Sequence, residues 1–432
     1  MSSANFKPAS DGEVLRPSYP DIEPARRPYT MVSHGLPYDQ ACKKHVDGFL
    51  NAHRIYIIAS KSLSQQTQCL AKLEATLGEK HVGTWIGIKP HTPYDDLVEI
   101  MKDIKVKNAD CLVTLGGGSL ADGAKLIAYA LENGVETVDD MIELSEPFIV
   151  KTDEAFATTF TGIGKTPSIP LVFIPTTLSG GEYTRFAGCT NPRNHMKVQF
   201  SHPGMYAKLI VLDPNLCRTT PDWVWRSTGV RAIDHCVEAY CAIPADQEGH
   251  PIAIAAERSV KRLIRSLLLY SKNPDDLDAR LESQIACGDS TMCVLYSIYP
   301  GASHGIGHNL GPLGVGHGQT SCILLPNVMK YNARVNGDQQ KRIAESIWTE
   351  EDIADILKKH GLSKAKSDFG DALRAIFDEL GMPRSLKDVG VGRDKWDQLA
   401  VNSLEDKCCK GNPVPLTRKE QVLEILEMCS GE

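Results

Sequence analysis

Four histidines crowd into the second half of the chain: His235 in GVRAIDHCVEAY, His304 and His308 in GASHGIGHNLG, and His317 in GVGHG. Imidazole changes charge near neutral pH, so such a set suits proton transfer, hydrogen bonding to an oxyanion, or metal ligation. His304 and His308 are four residues apart and share one face if their segment is helical. The glycines at 301, 305 and 307 leave room for other groups to approach closely. Taken singly, each histidine reads as a packed or surface side chain. As a set they read as a centre for ligation or acid–base chemistry.

A second group of residues suits phosphate. The apolar run CLVTL leads straight into Gly116, Gly117, Gly118 and Ser119, and the helical segment LADGAKLIAYALENG follows. Glycines let the backbone take positive φ and come close to a ligand, and a helix N-terminus offers unpaired N–H groups at a positive dipole end. Ser119 is placed to cap that helix or to donate to phosphate, with Asp122 in the first turn. A further loop, IPTTLSGGE, leaves another apolar run and carries Thr176, Thr177, Ser179 and two glycines. Small hydroxyl residues and glycines at strand ends are what a nucleotide crevice in an open α/β sheet requires. The first turn is neither a GxGxxG fingerprint nor a Walker loop, so the phosphate reading rests on the two loops together.

These residues need elements to hold them. RIYIIAS, HVGTWIGI, CLVTL, PSIPLVFIPTT and AKLIVLDP read as buried strands, and the first three alternate with the helical segments SLSQQTQCLAKLEATLGEK and YDDLVEIMKDIKVKNA. That alternation predicts a parallel α/β sheet. After Pro214 helical periodicity takes over, so the boundary is placed there: an α/β domain over 31–214 and an all-helical domain over 215–432. A length of 432 residues agrees with two domains. Residues 1–30, rich in Pro, Ser and charge and without an apolar signal region, read as an extended or partly disordered leader. The net charge of −7 without basic clustering argues against a nucleic-acid surface, yet leaves an anionic small substrate open. Thirteen scattered cysteines with no CxxC predict reduced thiols in a cytoplasmic protein, with no zinc ribbon and no disulfide framework. No apolar run has the length of a membrane span.

In order, GGGSLADGAK, IPTTLSGGEYT, GVRAIDHCVEAY, GASHGIGHNLG and GVGHG resemble the group III, so-called iron-containing, alcohol dehydrogenases, from about residue 30 to the end of the chain. The resemblance implies a dehydroquinate synthase-like fold, with an N-terminal Rossmann-like dinucleotide-binding domain and an all-α C-terminal domain, in a homodimer. It implies that Gly116, Gly117, Gly118, Ser119 and Asp122 cradle the pyrophosphate of NADH or NADPH, and that Thr176, Thr177, Ser179 and Lys197 line the cofactor. Ser60, at the end of RIYIIAS, stands where many NAD-preferring members carry an acid; without that acid, NADPH is not excluded. Metal-dependent members ligate iron or zinc with one Asp and three His. Three of those positions match His235, His304 and His317, and His308 matches a histidine placed near the nicotinamide. The fourth position is Arg231, a permanent cation where the others carry a carboxylate. Asp234 adjoins His235 and is expected to point about 100° away around a helix. Metal binding is therefore not expected.

The shorter IPTTLSGGEYT loop, His91-Thr92-Pro93 and the late NPVPLTRKE segment are similar to the maleylacetate reductases, a metal-free branch. The expected reaction is NAD(P)H-dependent reduction of maleylacetate to 3-oxoadipate, in the breakdown of aromatic compounds. Arg231 would bind a substrate carboxylate bidentately, and His235, His304, His308 and His317 would serve the oxyanion and the proton. Three other readings stand beside it: a metal-dependent alcohol dehydrogenase or aldehyde reductase, a dehydroquinate synthase-like lyase, and a decayed homologue that binds cofactor without turnover.

Overall fold

Runs such as Ile55–Ala59 and Leu171–Pro175 are apolar along their whole length, which suits a strand covered on both faces. The computed structural model describes residues 6–22, 28–89, 92–148, 163–193, 197–244, 246–247, 249–296, 298 and 300–431. It places these runs in the middle of a seven-stranded sheet. The strands of the first half are β1 (Val14–Pro17), β2 (Met31–His34), β3 (Ile55–Ala59), β4 (His81–Ile86), β5 (Cys111–Gly116), β6 (Leu171–Pro175), β7 (Phe186–Thr190), β8 (Lys197–Ser201) and β9 (Leu209–Leu212). The sheet order is β1-β2-β9-β6-β5-β3-β4, and β7 pairs with β8 as a separate antiparallel ribbon. Every pairing in the large sheet is parallel except that of β1 with β2.

Helices α1 (Tyr38–Asp47), α2 (Lys61–Gln66), α3 (Cys69–Leu77), α4 (Tyr94–Val106), α5 (Gly118–Glu132) and α6 (Val138–Ser145) lie between the strands in the chain. One sheet face packs Ile55, Ile57, Val113, Leu115, Val172 and Ile174 against Tyr38, Val46, Leu63, Leu73 and Leu77. The alternate residues Tyr56, Ile58, Leu112 and Phe173 are buried as well. The chain leaves β3 toward β4, then returns past β3 to β5, β6 and β9, so the order of winding reverses between β3 and β5. In open α/β sheets, the crevice beyond the carboxyl ends of the strands at such a reversal is where ligands bind.

In this half one expectation is corrected, one is made more specific, and one element went unread. Within the segment read as an extended or partly disordered leader, residues 14–17 form β1 on the edge of the sheet, and Tyr19 and Ile22 are buried. The single helix expected over SLSQQTQCLAKLEATLGEK is two, because Thr67 is extended: its N–H and hydroxyl both donate to Leu63 O, closing α2, and its hydroxyl accepts from Cys69 N at the start of α3. The β7–β8 ribbon carried too weak an alternation to be read.

The chain divides at Thr219/Thr220 into two compact units. The second unit is helical: α7 (Asp222–Ala242), α8 (Pro251–Lys272), α9 (Leu277–Ser290), α10 (Ala302–Leu310), α11 (His317–Ile347), α12 (Glu351–Lys359), α13 (Phe369–Glu379), α14 (Trp396–Leu404), α15 (Lys407–Lys410) and α16 (Lys419–Met428). Helix α7 packs on α8, α9, α10 and α11, which explains why its residues 229–234 are all buried. The thirteen cysteines are free, twelve of them buried. Among the described residues no helix is long and apolar enough to cross a membrane.

The leader's contribution is measurable. Tyr19 is 1% exposed and its hydroxyl donates to Tyr183 O at 3.1 Å. Tyr19→Ala is expected to destabilise the protein by about 3 kcal/mol, read as a lower urea midpoint. A midpoint equal to that of the parent would mean that the leader is not part of the fold.

Candidate functional site

The α/β unit gathers its candidate residues at the β3/β5 reversal. Gly116 ends β5 at φ +148, and a side chain there would collide with Ser60, the residue that follows β3. Gly117 precedes α5 and Gly118 opens it, and the helix N-terminus has no side-chain cap, the kind of end that can receive an anion. A Cβ on Gly117 would meet Thr177 Cγ2 at 3.2 Å, and one on Gly118 would meet Ser179 Oγ at 2.5 Å. The glycines thus let the IPTTLSGGE loop lie against the first turn. Thr176 N donates to Gly116 O at 3.1 Å, and the Thr177 and Ser179 hydroxyls are 3.1 Å apart. Ser60, Gly116, Gly117, Gly118, Ser119, Thr176, Thr177 and Ser179 therefore converge on one place. The side chains of Lys197 and His91 lie outside the described residues.

Two readings are revised here. Ser119 lies inside α5 and is exposed, and does not cap it. Asp122 lies in the second turn of α5, not the first. Its carboxylate pairs with Lys125 Nζ at 3.0 Å and accepts from Gly188 N at 3.4 Å. Lys125 escaped the sequence reading. It is fully buried, and its ammonium donates to Gly181 O at 2.8 Å and to Phe186 O, tying the second loop and β7 to α5. The i, i+3 spacing of Asp122 and Lys125 was the available signal.

The helical unit builds the histidine centre from α7, α10, the start of α11 and the turn before α15. Arg231, Asp234, His235 and Glu238 follow one another at helical spacing on α7. Glu238 accepts from the backbone N–H of Gly301 at 2.7 Å and of Ser303 at 2.8 Å, and its carboxylate also contacts His304 Nδ1 at 2.7 Å. This fixes the entry to α10 and the ring of His304. His235 and His304 lie ring to ring, 4.7 Å between centroids. His308 stacks on His317 at 6.0 Å and contacts Asp406 Oδ2 through Nδ1 at 2.9 Å. A side chain on Gly305 would collide with Cys409, so that glycine admits the chain near α15, not a ligand.

Asp234 does not point away. Its Oδ2 accepts from Ser303 Oγ at 2.8 Å and from Ser321 Oγ, and lies 3.4 Å from His304 Nδ1. Arg231, 1% exposed, donates from Nη1 to Ser321 Oγ at 3.0 Å and stands 3.7 Å from Asp234 Oδ2. Its charge is thus answered from within the protein, which corrects the expectation of an open fork awaiting a substrate carboxylate. The sequence reading missed Glu238, Asp406, Ser303 and Ser321; the 231–234/235–238 stripe of charge was the signal for the first.

Burial sets the protonation states. Desolvation and then the Arg231 charge lower His235 to about 3 and keep His304 well below the usual imidazole range. Desolvation pushes Asp234 up to about 6, with Arg231 and the two serines opposing it, and pushes Glu238 up more strongly, with the Asp234 charge adding to the rise. Arg231 Nε, His235 Nδ1, His304 Nε2 and Asp234 Oδ1 are buried without a hydrogen-bond partner among the described residues. Buried polar atoms of native proteins are almost always satisfied, by protein groups, water or a ligand, so these atoms leave hydrogen-bonding capacity open in the centre.

Does this centre suit a divalent cation? His235, His304 and His317 carry no neighbouring acid at the position of Arg231. Asp234 Oδ2 is committed to two serines, and both oxygens of Glu238 are committed to backbone N–H groups and His304. A buried guanidinium close by opposes a second cation. The residues present do not fit a metal held by His235, His304 and His317.

Residues 39–214 match the iron-containing alcohol dehydrogenase family, and residues 226–429 match the C-terminal domain of the Fe-containing alcohol dehydrogenase family. The chain belongs to this family of oxidoreductases. It is 40% identical over 424 residues to dehydrogenase FUM7 of Gibberella moniliformis, covering 94% of this chain and 96% of that protein. It is 38% identical over 390 residues to dehydrogenase ALT3 of Alternaria alternata, covering 86% and 98%. Among solved structures, the maleylacetate reductase from Rhizobium sp. strain MTP-10005 superposes with a TM-score of 0.70 at 22% identity, over 92% of this chain and 95% of that one, a likeness of fold.

Glu182, in the second loop, offers a test of the electrostatics of that loop. It is 3% exposed, and burial pushes its carboxyl from 4.5 up to about 7, with Lys125 opposing. An acid raised in the folded state costs stability once the solution pH lies above its unfolded value, so the cost grows from about pH 4.5 and is complete above pH 7. Relative to the parent, Glu182→Gln should gain up to about 3 kcal/mol between pH 5 and pH 8 in urea denaturation. A difference that stays flat with pH would show that Glu182 is ionised or solvated in the folded protein.

Proposed function

We propose that this protein is an NADH- or NADPH-dependent reductase of carbonyl-conjugated substrates that works without a bound metal, with maleylacetate, reduced to 3-oxoadipate, as the substrate type. The observation that carries the reading is the buried Arg231. It provides a fixed positive charge inside the histidine centre, at the position where the resemblance puts a metal-binding carboxylate. Ser60, the Gly116–Gly118 turn, Thr176, Thr177 and Ser179 would hold the cofactor. A bound nicotinamide supplies hydride.

The remaining work falls to the helical unit. A hydride added to the carbon β to a ketone leaves an enolate, whose negative oxygen needs positive charge and hydrogen-bond donors fixed in advance. Arg231, held by Ser321 and Asp234, gives the charge at no cost of reorganisation. Its Nε–H lacks a partner among the described residues and is available as a donor. His235 and His304, kept neutral by burial and by Arg231, add imidazole hydrogen bonds without adding charge. A second reading, a metal-dependent alcohol dehydrogenase, draws on one observation: one ligand atom each from Asp234, Glu238 and His304 lies within 4.8 Å of the others.

The discriminating experiment is NADH and NADPH oxidation with maleylacetate after exhaustive chelation. Turnover unchanged by chelation, and unimproved by added iron or zinc, is the expected result. Turnover of simple aldehydes or alcohols that appears only on adding metal would establish the second reading instead.

A further inference from the structure

The histidines of the centre are not equivalent as proton donors. His304 is 3% exposed and its Nδ1 is engaged by Glu238, itself held by two backbone N–H groups. His235 lies against the His304 ring. Both are desolvated beside the Arg231 guanidinium, so a further positive charge on either is disfavoured. His308 differs in two ways. Its side chain is 33% exposed, and its Nδ1 lies 2.9 Å from the carboxylate of Asp406.

Asp406 is itself held in place. It is the N-cap of α15, and its Oδ1 accepts from Cys408 N at 2.8 Å, which leaves Oδ2 for the ring of His308. A carboxylate so fixed requires hydrogen on Nδ1 of the imidazole. It thereby selects the tautomer in which Nε2 is the nitrogen that gives and takes a proton, and it holds the ring plane.

We propose that His308 is the proton donor of the reduction and that Asp406 is its positioning residue. This rests on the reductase reading above. In the step, the hydride brings two electrons to the β carbon and the enolate pair takes the proton from His308 Nε2. The imidazolium becomes neutral imidazole, and water restores its proton. The net change is substrate plus NAD(P)H plus one proton, giving reduced product and NAD(P)+.

The test compares Asp406→Asn and His308→Gln with the parent as full-length protein. Asn caps helices as well as Asp does, so a purely structural Asp406 predicts no change in Asp406→Asn. A positioning role predicts kcat lower by about 10- to 100-fold with KM within about 2-fold, and His308→Gln lower by about 100-fold or more. Nitrogen-15 NMR of the labelled His308 ring supplies a readout that needs no turnover: Nδ1 carries hydrogen in the parent, and the tautomers mix in Asp406→Asn. If no carbonyl substrate is turned over at all, the reductase reading fails, while the ring signature still decides whether Asp406 sets the tautomer. An unchanged tautomer and unchanged kcat in Asp406→Asn would overturn the proposal, as would full activity of His308→Gln.

Discussion

A guanidinium buried in a nest of histidines is the constraint on which the rest of the helical unit depends. Arg231 cannot shed its proton at any ordinary pH, so α7 has to bring compensation with it. Asp234 comes three residues later on the same helix and Glu238 seven residues later. Ser321 of α11 bridges Arg231 to Asp234, and Ser303 of α10 ties the same carboxylate to the neighbouring helix. Removing any one partner would leave a buried charge unanswered, which costs far more than a surface ion pair would. Burial lowers the imidazole pKa of His235 and of His304, and the same charge adds to that effect.

The α/β unit uses a buried cation in a different way. Lys125 points its ammonium at backbone carbonyls of the second loop and β7 and at Asp122, so it acts as a clip between α5 and the neighbouring loop. The clip holds two glycine-bearing loops in contact at the place where the sheet reverses its winding. In both units a buried positive charge organises the segments around it. In one it ties a glycine-bearing loop to α5, in the other it sits within a cluster of histidines and carboxylates.

Much of this was legible in the sequence, for physical reasons. Parallel strands buried on both faces leave long apolar runs, so β3, β5, β6 and β9 could be read directly. The glycine turn, the hydroxyl loop and the four histidines were visible because their residue types are rare in such combinations. What escaped depends on partners distant in the chain. The edge strand β1 shows its role only beside β2. The glycines at 301 and 305 read as space for a ligand, yet their missing side chains make room for Asn412, Glu238 and Cys409. Asp234 was judged by its angle from His235 alone, whereas α10 and α11 approach α7 from the side where Asp234 lies. Asp406 stands 98 residues beyond His308, a separation that no local pattern reports.

The central claim is that Arg231 fills the role of a metal in this centre, and metal uptake by the purified protein tests it most directly. Chelator-treated parent and Arg231→Asp would each be incubated with iron(II) or zinc, desalted, and assayed for bound metal. The account predicts no retained ion in the parent and about one per chain in the variant, where a carboxylate replaces the cation and restores an anionic ligand. A parent that keeps about one ion per chain would contradict it.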